Sequence, residues 1–317
     1  SIAGTGRPGD RVGVLAWNCP EFIELIYAVP ASGRILVPLN ARLAPPELIH
    51  QLVSAGVTAL FADPGLLRPL LRHAEFPENL SVVTLDGDYA RWLDAGPGSV
   101  LPATREDDPV WILFTSGSTG KPQPNPKYWN TLRTGAIANA AMMLGPLDET
   151  VHLLTTVPPQ HMWGLETSVL LPLFTRAAIS GRTPFYPHDV AEALRRLPEP
   201  RVLVSTPVHL AAMVRSGLRF PGLKRVLCAT APLTAELARA VETAFDTELL
   251  EVFGCTESGI LASRPILRDE TWTLADIFDL RVEDDHAVIT GEHLPEAENA
   301  IVVANHQDMP DIVALMS

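Results

Sequence analysis

Val110-Trp-Ile-Leu-Phe-Thr-Ser-Gly-Ser-Thr-Gly-Lys-Pro122 is the stretch on which the reading of this chain turns. The run Val110–Phe114 is apolar and β-prone, which predicts a buried strand. It feeds directly into a loop of hydroxyls and glycines. Gly117 and Gly120 allow the backbone to turn and to approach a ligand closely. Thr115, Ser116, Ser118 and Thr119 supply hydroxyl donors and Lys121 a positive charge, a set suited to the oxygens of a phosphate chain. The loop is not a Walker A loop, because Thr115 occupies the first glycine position and Pro122 follows the lysine.

Working outward, apolar runs alternate with helix-like segments. Expected strands are Arg11–Ala16, Ile35–Leu39, Ala59–Ala62, Ser81–Leu85, Val110–Phe114, His152–Val157, Arg201–Ser205, Arg225–Cys228 and Glu248–Val252. Expected helices are Pro20–Val29, Pro45–Ser54, Asp189–Arg196, Pro207–Ser216 and Thr234–Phe245, the first two opening with proline in the first turn. Continuous apolar strands between helices imply an α/β fold of layered parallel sheets flanked by helices, in two subdomains. The expected division is 1–105 for an N-terminal α/β subdomain, 106–264 for a nucleotide- and acid-binding α/β subdomain, and 265–317 for a tail.

Composition removes several classes. With 317 residues, 47% hydrophobic and 19% charged, the chain is long enough for a large core and too apolar for disorder. A net charge of −13 without a basic block argues against nucleic acid as a partner. A polyphosphate would then be held by local donors and a metal ion. No run reaches the ~18 apolar residues of a transmembrane segment. The start, Ser1 to Asp10, lacks a basic-then-apolar signal. Cys19, Cys228 and Cys255 are scattered, which fits a reducing, cytoplasmic location and no zinc site.

Thr115–Pro122 resembles the phosphate loop, [ST]-S-G-[ST]-T-G-x-P-K, of the adenylate-forming (AMP-binding) superfamily of acyl-CoA and aryl-CoA synthetases, peptide-synthetase adenylation domains and firefly luciferase. Gln123 stands where that family has lysine, and Lys121 or Lys127 is the candidate replacement. The opening, Gly9–Val14, Asn18–Glu21, Gly33–Leu39 and Leu43–Glu47, is similar to the family's N-terminal half. Glu251-Val-Phe-Gly-Cys-Thr-Glu257 resembles its Y-G-x-T-E motif with Phe253 for tyrosine. Cys228–Leu233 resembles G-[AG]-A-P-L, although by itself it reads as an ordinary strand-to-helix turn. Pro158-Pro-Gln-His-Met-Trp-Gly164 resembles P-x-F-H-x-x-G, with Gln160 in the aromatic position.

The resemblance implies the large domain of an ATP-dependent ligase that activates an aryl or fatty carboxylic acid as an acyl-adenylate. The thiol acceptor would be coenzyme A or the phosphopantetheine of an acyl carrier protein. Thr115, Ser116, Gly117, Ser118, Thr119, Gly120 and Lys121 would hold phosphates. Thr230, Ala231, Pro232, Phe253 and Gly254 would hold the base. Thr256 would meet the α-phosphate, and Glu257 would be catalytic and bind Mg²⁺. His161 would gate the acid, and Met162, Trp163, Gly164 and Thr206 would line its pocket. Thr290-Gly-Glu292 resembles T-G-D, so Glu292 would face the ribose. Ala304–Met309 resembles the hinge, with Asn305 in place of the ribose-binding arginine and Gln307 at the hinge position. The family's catalytic lysine has no counterpart after Lys224, so this chain alone is expected to be a weak catalyst. Two rivals stay open: a homologue that only binds nucleotide or acid, and a kinase or ATPase, which the failed Walker pattern opposes.

Overall fold

The computed structural model describes residues 7–94, 105–115, 122–220, 222–269, 271–283, 286–290 and 300–303. The chain forms two compact units, Ser1–Asn130 and Thr131–Ser317. Among the described residues no helix is long and apolar enough to cross a membrane.

In the first unit, β1 (Arg11–Leu15), β2 (Ile35–Leu39), β3 (Val57–Ala62), β4 (Ser81–Thr84), β5 (Pro109–Thr115) and β6 (Gln123–Tyr128) form one sheet. Their order is β4-β3-β1-β2-β5-β6. The first five are parallel, and β6 turns back antiparallel on β5. Because β5 pairs with β2, Leu36 opposite Trp111, the unit continues past residue 105 to Asn130. Helices α1 (Pro20–Ala31), α2 (Pro45–Ser54), α3 (Pro64–Leu71) and α4 (Gly87–Asp94) alternate with the strands. Proline starts α1 and α2 as expected. The α3 terminus is capped by Asp63, whose carboxylate accepts from the Gly65 and Leu66 amides. The core gathers Leu15, Val37, Leu39, Leu52, Leu60 and Leu70. Trp111, buried in β5, donates its indole N–H to the Ile26 carbonyl at 3.3 Å.

The second unit opens with α5 (Trp129–Leu144), which starts in the last residues of the first, and contains β7 (Val151–Thr155), β8 (Ala177–Ile179), β9 (Arg201–Ser205), β10 (Leu223–Cys228), β11 (Glu248–Cys255), β12 (Gly259–Arg264) and β13 (Thr273–Leu274). The sheet order is β13-β12-β11-β10-β9-β7-β8. Strands β7 to β11 are parallel, whereas β12 and β13 are antiparallel. A continuous helical segment runs from α6 (Met162–Leu165) through a π turn (Glu166–Leu170) into α7 (Leu171–Phe174); α8 (Pro187–Arg196), α9 (Pro207–Arg215) and α10 (Ala235–Phe245) follow. Thr206 and Thr234 cap α9 and α10 through their hydroxyls.

Side-chain alternation sorts the strands onto two covered faces. Leu154, Leu203, Val226 and Leu249 pack with Leu194, Leu210, Met213, Val241 and Phe245 of the helices on one side. Leu153, Val202, Val204, Leu227 and Leu250 pack with Met143, Leu144, Trp163 and Leu171 on the other. Each such side chain contributes about 1.5–3 kcal/mol by leaving water. A separate antiparallel sheet follows: β14 (Asp279–Glu283), β15 (His286–Thr290) and β16 (Ala300–Val303).

Candidate active site

Ligands of open α/β sheets bind beyond the carboxyl ends of the parallel strands. In the second unit the expected segments emerge at that edge. Pro158–Gly164 follows β7, Thr206 follows β9, Thr230–Pro232 follow β10, and Phe253–Glu257 finish β11 and enter the turn to β12. Four neighbouring parallel strands thus bring together segments separated by almost a hundred residues.

Phe253 is half-buried and meets Trp272 edge-on, with ring centroids 5.7 Å apart. Arg264 lies over the Trp272 ring at 4.4 Å, a cation–π contact. Its Nε also donates to Glu251 Oε2 at 2.8 Å, with both side chains about nine-tenths buried. The other oxygen, Glu251 Oε1, accepts the Leu233 amide at 3.2 Å. One buried ion pair therefore ties the 230–232 segment to the Phe253 hairpin. Thr230, Ala231 and Pro232 themselves are exposed. Thr230 has φ +85°, a left-handed backbone that a β-branched residue adopts only under strain. A Cβ at Gly254 would lie 2.3 Å from the Gly259 carbonyl oxygen, so only glycine fits the bulged pairing of β11 with β12. Thr256 and Glu257 are half-buried in the turn. Burial, with the nearby Glu257 charge adding to it, pushes the Cys255 thiol above its ordinary value, so it stays protonated near neutral pH.

The Pro158–Gly164 element is compact. The His161 amide donates to the Pro158 carbonyl at 3.2 Å, and the His161 carbonyl accepts from Leu165 as α6 begins. A Cβ at Gly164 would sit 2.1 Å from the Pro158 carbonyl oxygen. His161 is exposed and Met162 half-buried. Trp163 is a core residue, 6% exposed, whose indole N–H donates to the Ser205 carbonyl at 3.3 Å. The Thr206 hydroxyl accepts the His209 amide at 3.4 Å as the cap of α9. His209 bonds the Thr156 hydroxyl at 2.8 Å, and Thr156 bonds Ser205 at 2.9 Å.

In the first unit Thr115 ends β5 and Gln123 begins β6, directly opposite it. Ser116, Gly117, Ser118, Thr119, Gly120 and Lys121 lie outside the described residues, as do Glu292, Asn305 and Gln307. Lys127, the alternative carrier of the loop charge, is a buried residue of β6 at 5% exposure. His50 of α2 holds the end of the loop through the Pro122 carbonyl at 3.2 Å.

Sequence reasoning assigned no role to Glu251, Arg264, Trp272, His50 or Glu166. For two of them a signal existed. Glu251 and Glu166 are charges inside apolar runs, which fold only when each charge finds a partner.

The family model described as AMP-binding enzyme matches residues 3–311. The fatty acid–[acyl-carrier-protein] ligase ScoC of Streptomyces coeruleorubidus is 26% identical over 268 residues, 80% of this chain and 50% of that protein. Feruloyl-CoA synthase of an Amycolatopsis species is 29% identical over 237 residues, 73% of this chain and 46% of its own length. The chain spans about half the length of the curated relatives it matches. Among solved structures, the inhibitor-bound N-terminal domain of FACL13 from Mycobacterium tuberculosis superposes with a TM-score of 0.82 at 21% identity, covering 95% of this chain and 84% of that one. It shares the fold of mostly parallel sheets flanked by helices described above. With motifs, sheet topology and a family model over nearly all of its length in agreement, the chain belongs to the AMP-binding enzyme family.

Proposed function

We propose that this chain activates an aryl or fatty carboxylic acid as its acyl-adenylate, for transfer to the thiol of coenzyme A or of a carrier protein's phosphopantetheine. The observation that carries the reading is the convergence, at one sheet edge of an AMP-binding family member, of segments 158–164, 206, 230–232 and 253–257. In the reaction a carboxylate oxygen of the acid attacks the α-phosphorus of ATP, the bond to the bridging oxygen breaks, and pyrophosphate leaves. Catalysis is then positioning plus stabilisation of spread negative charge.

Phe253 and the exposed backbone of 230–232 suit the base, and the Thr256 hydroxyl suits the α-phosphate. Met162 offers an apolar wall to the acid, with His161 at its mouth. The hydroxyls and charge of Ser116–Lys121 suit the departing pyrophosphate. Glu257 would hold Mg²⁺, which when bound supplies neutralisation of the phosphate charge. Among the described residues no cluster of three or more His, Cys, Asp or Glu side chains is placed for a metal. A single carboxylate fits Mg²⁺, which takes most of its oxygens from phosphates and water.

Calorimetry with ATP, with and without Mg²⁺, tests the reading on wild type and Glu257→Gln, alongside pyrophosphate exchange with benzoate and octanoate. The expected result is metal-dependent ATP binding that loses its metal dependence in Glu257→Gln with the fold intact. Pyrophosphate exchange should depend on the added acid. A wild-type chain without ATP affinity overturns the proposal.

A further inference from the structure

Glu166 is the first residue of the π turn, four positions after Met162, and it is 6% exposed. Its Oε1 accepts the backbone N–H of Ile260 at 3.0 Å and the side-chain amide of Asn139 at 3.2 Å. Ile260 belongs to β12 and Asn139 to α5, so one carboxylate oxygen joins three elements. Gly259 has φ +76°, and a Cβ there would lie 2.7 Å from Glu166 Oε1 and 3.3 Å from Met162 Cε. The backbone leaving the Thr256–Ser258 turn therefore comes close to Glu166 and Met162 only as glycine. A buried carboxylate is costly unless it is hydrogen-bonded, and an apolar side chain would pack the same helix at lower cost. π turns, rare in proteins, are frequent at functional sites.

We infer that Glu166 is a positioning residue that fixes the Thr256–Ser258 turn against the helix beginning at Met162, and so holds Glu257 in place for its metal. This rests on the role proposed for Glu257. The link also joins the wall offered to the acid with the residue offered to the metal, so disturbance of one is felt at the other.

Two readings on the 317-residue chain test it: hydrogen exchange of the Ile260 amide, and ATP affinity as a function of Mg²⁺ concentration. Glu166→Gln keeps an acceptor oxygen and retains both. Glu166→Ala loses about tenfold in Ile260 protection and about tenfold in the Mg²⁺ dependence of ATP binding, the loss expected for one hydrogen bond to a charged group. Affinity measured without Mg²⁺ stays unchanged, which a merely structural loss would not allow. If Glu166→Ala does not fold, Glu166→Asp withdraws the carboxylate by one methylene and gives the same readings. A folded variant with unchanged Ile260 protection overturns the anchor. Lost protection with unchanged Mg²⁺ dependence overturns the positioning role. A wild-type chain that binds no ATP overturns the functional reading instead, and the exchange measurement still decides whether Glu166 holds the turn.

Discussion

Each unit ends its run of parallel strands by turning back antiparallel, and in both the turn back encloses a motif. In the first unit β5 and β6 flank residues 116–122; in the second β11 and β12 flank Thr256–Ser258. Their return strands differ. β6 is an edge strand, largely exposed, with Pro124 opposite Phe114 and Pro126 opposite Ile112, neither with an N–H group of its own. Prolines of this kind blunt a free sheet edge. β12 is buried along its whole length and has β13 on its far side. It is held by the Arg264–Glu251 pair, by the fit of Gly254 against Gly259, and by Glu166 on the Ile260 amide. The same device, a strand turned back on a parallel sheet, is thus anchored by buried polar contacts in one unit and protected by prolines in the other.

The largest expected break is at the ion pair. Arg264→Met leaves Glu251 charged and buried, which should cost about 3–5 kcal/mol in urea-induced unfolding followed by tryptophan fluorescence. Glu251→Leu together with Arg264→Met should recover most of that loss, since apolar residues replace such pairs well. If Arg264→Met alone is neutral, the hairpin does not depend on its charge pair. A smaller effect is expected at Gly254. Alanine there drives a Cβ into the Gly259 carbonyl, and the shift needed should cost about 1–3 kcal/mol in the same assay. Unchanged stability would mean that the bulge relaxes freely. The smallest effect on stability is expected at β6. Pro124→Val should change unfolding by no more than about 0.5 kcal/mol. Its consequence should appear in sedimentation velocity as concentration-dependent self-association through the restored edge. A strictly unchanged sedimentation coefficient would remove the protective role of the prolines.

The same contrast explains what the sequence revealed. Every expected strand formed, because strands covered on both faces are continuous apolar runs, and Val202–Val204 or Leu249–Leu250 stand out without any partner in view. The expected helices formed where proline or threonine marks their first turn. β6 was missed because Gln-Pro-Asn-Pro-Lys-Tyr has neither alternation nor β propensity; its pairing with β5 makes it a strand. The helix from Met162 to Phe174 was missed because it is buried on nearly every side, so Glu166, Thr167 and Ser168 sit among its apolar residues and no amphipathic period shows. At the proposed site, the segments after β7, β10 and β11 were singled out by their motifs, and Thr206 after β9 by the resemblance alone. Their supports could not be placed: Glu251 and Glu166 stand out as charges inside apolar runs, but what they, Arg264 and Trp272 touch lies elsewhere in the chain.

Thr230 carries a consequence for selection on this chain. A threonine at φ +85° stores roughly 1–2 kcal/mol that glycine would not. A screen for heat resistance alone should therefore enrich Thr230→Gly, the residue type that tolerates this backbone. The winners would fold more stably while presenting a looser segment between the Cys228 strand end and the Leu233 amide. On the role proposed for 230–232 at the base, stability and nucleotide binding would then pull this position in opposite directions, and a library sorted first for one and then for the other would show them part at residue 230.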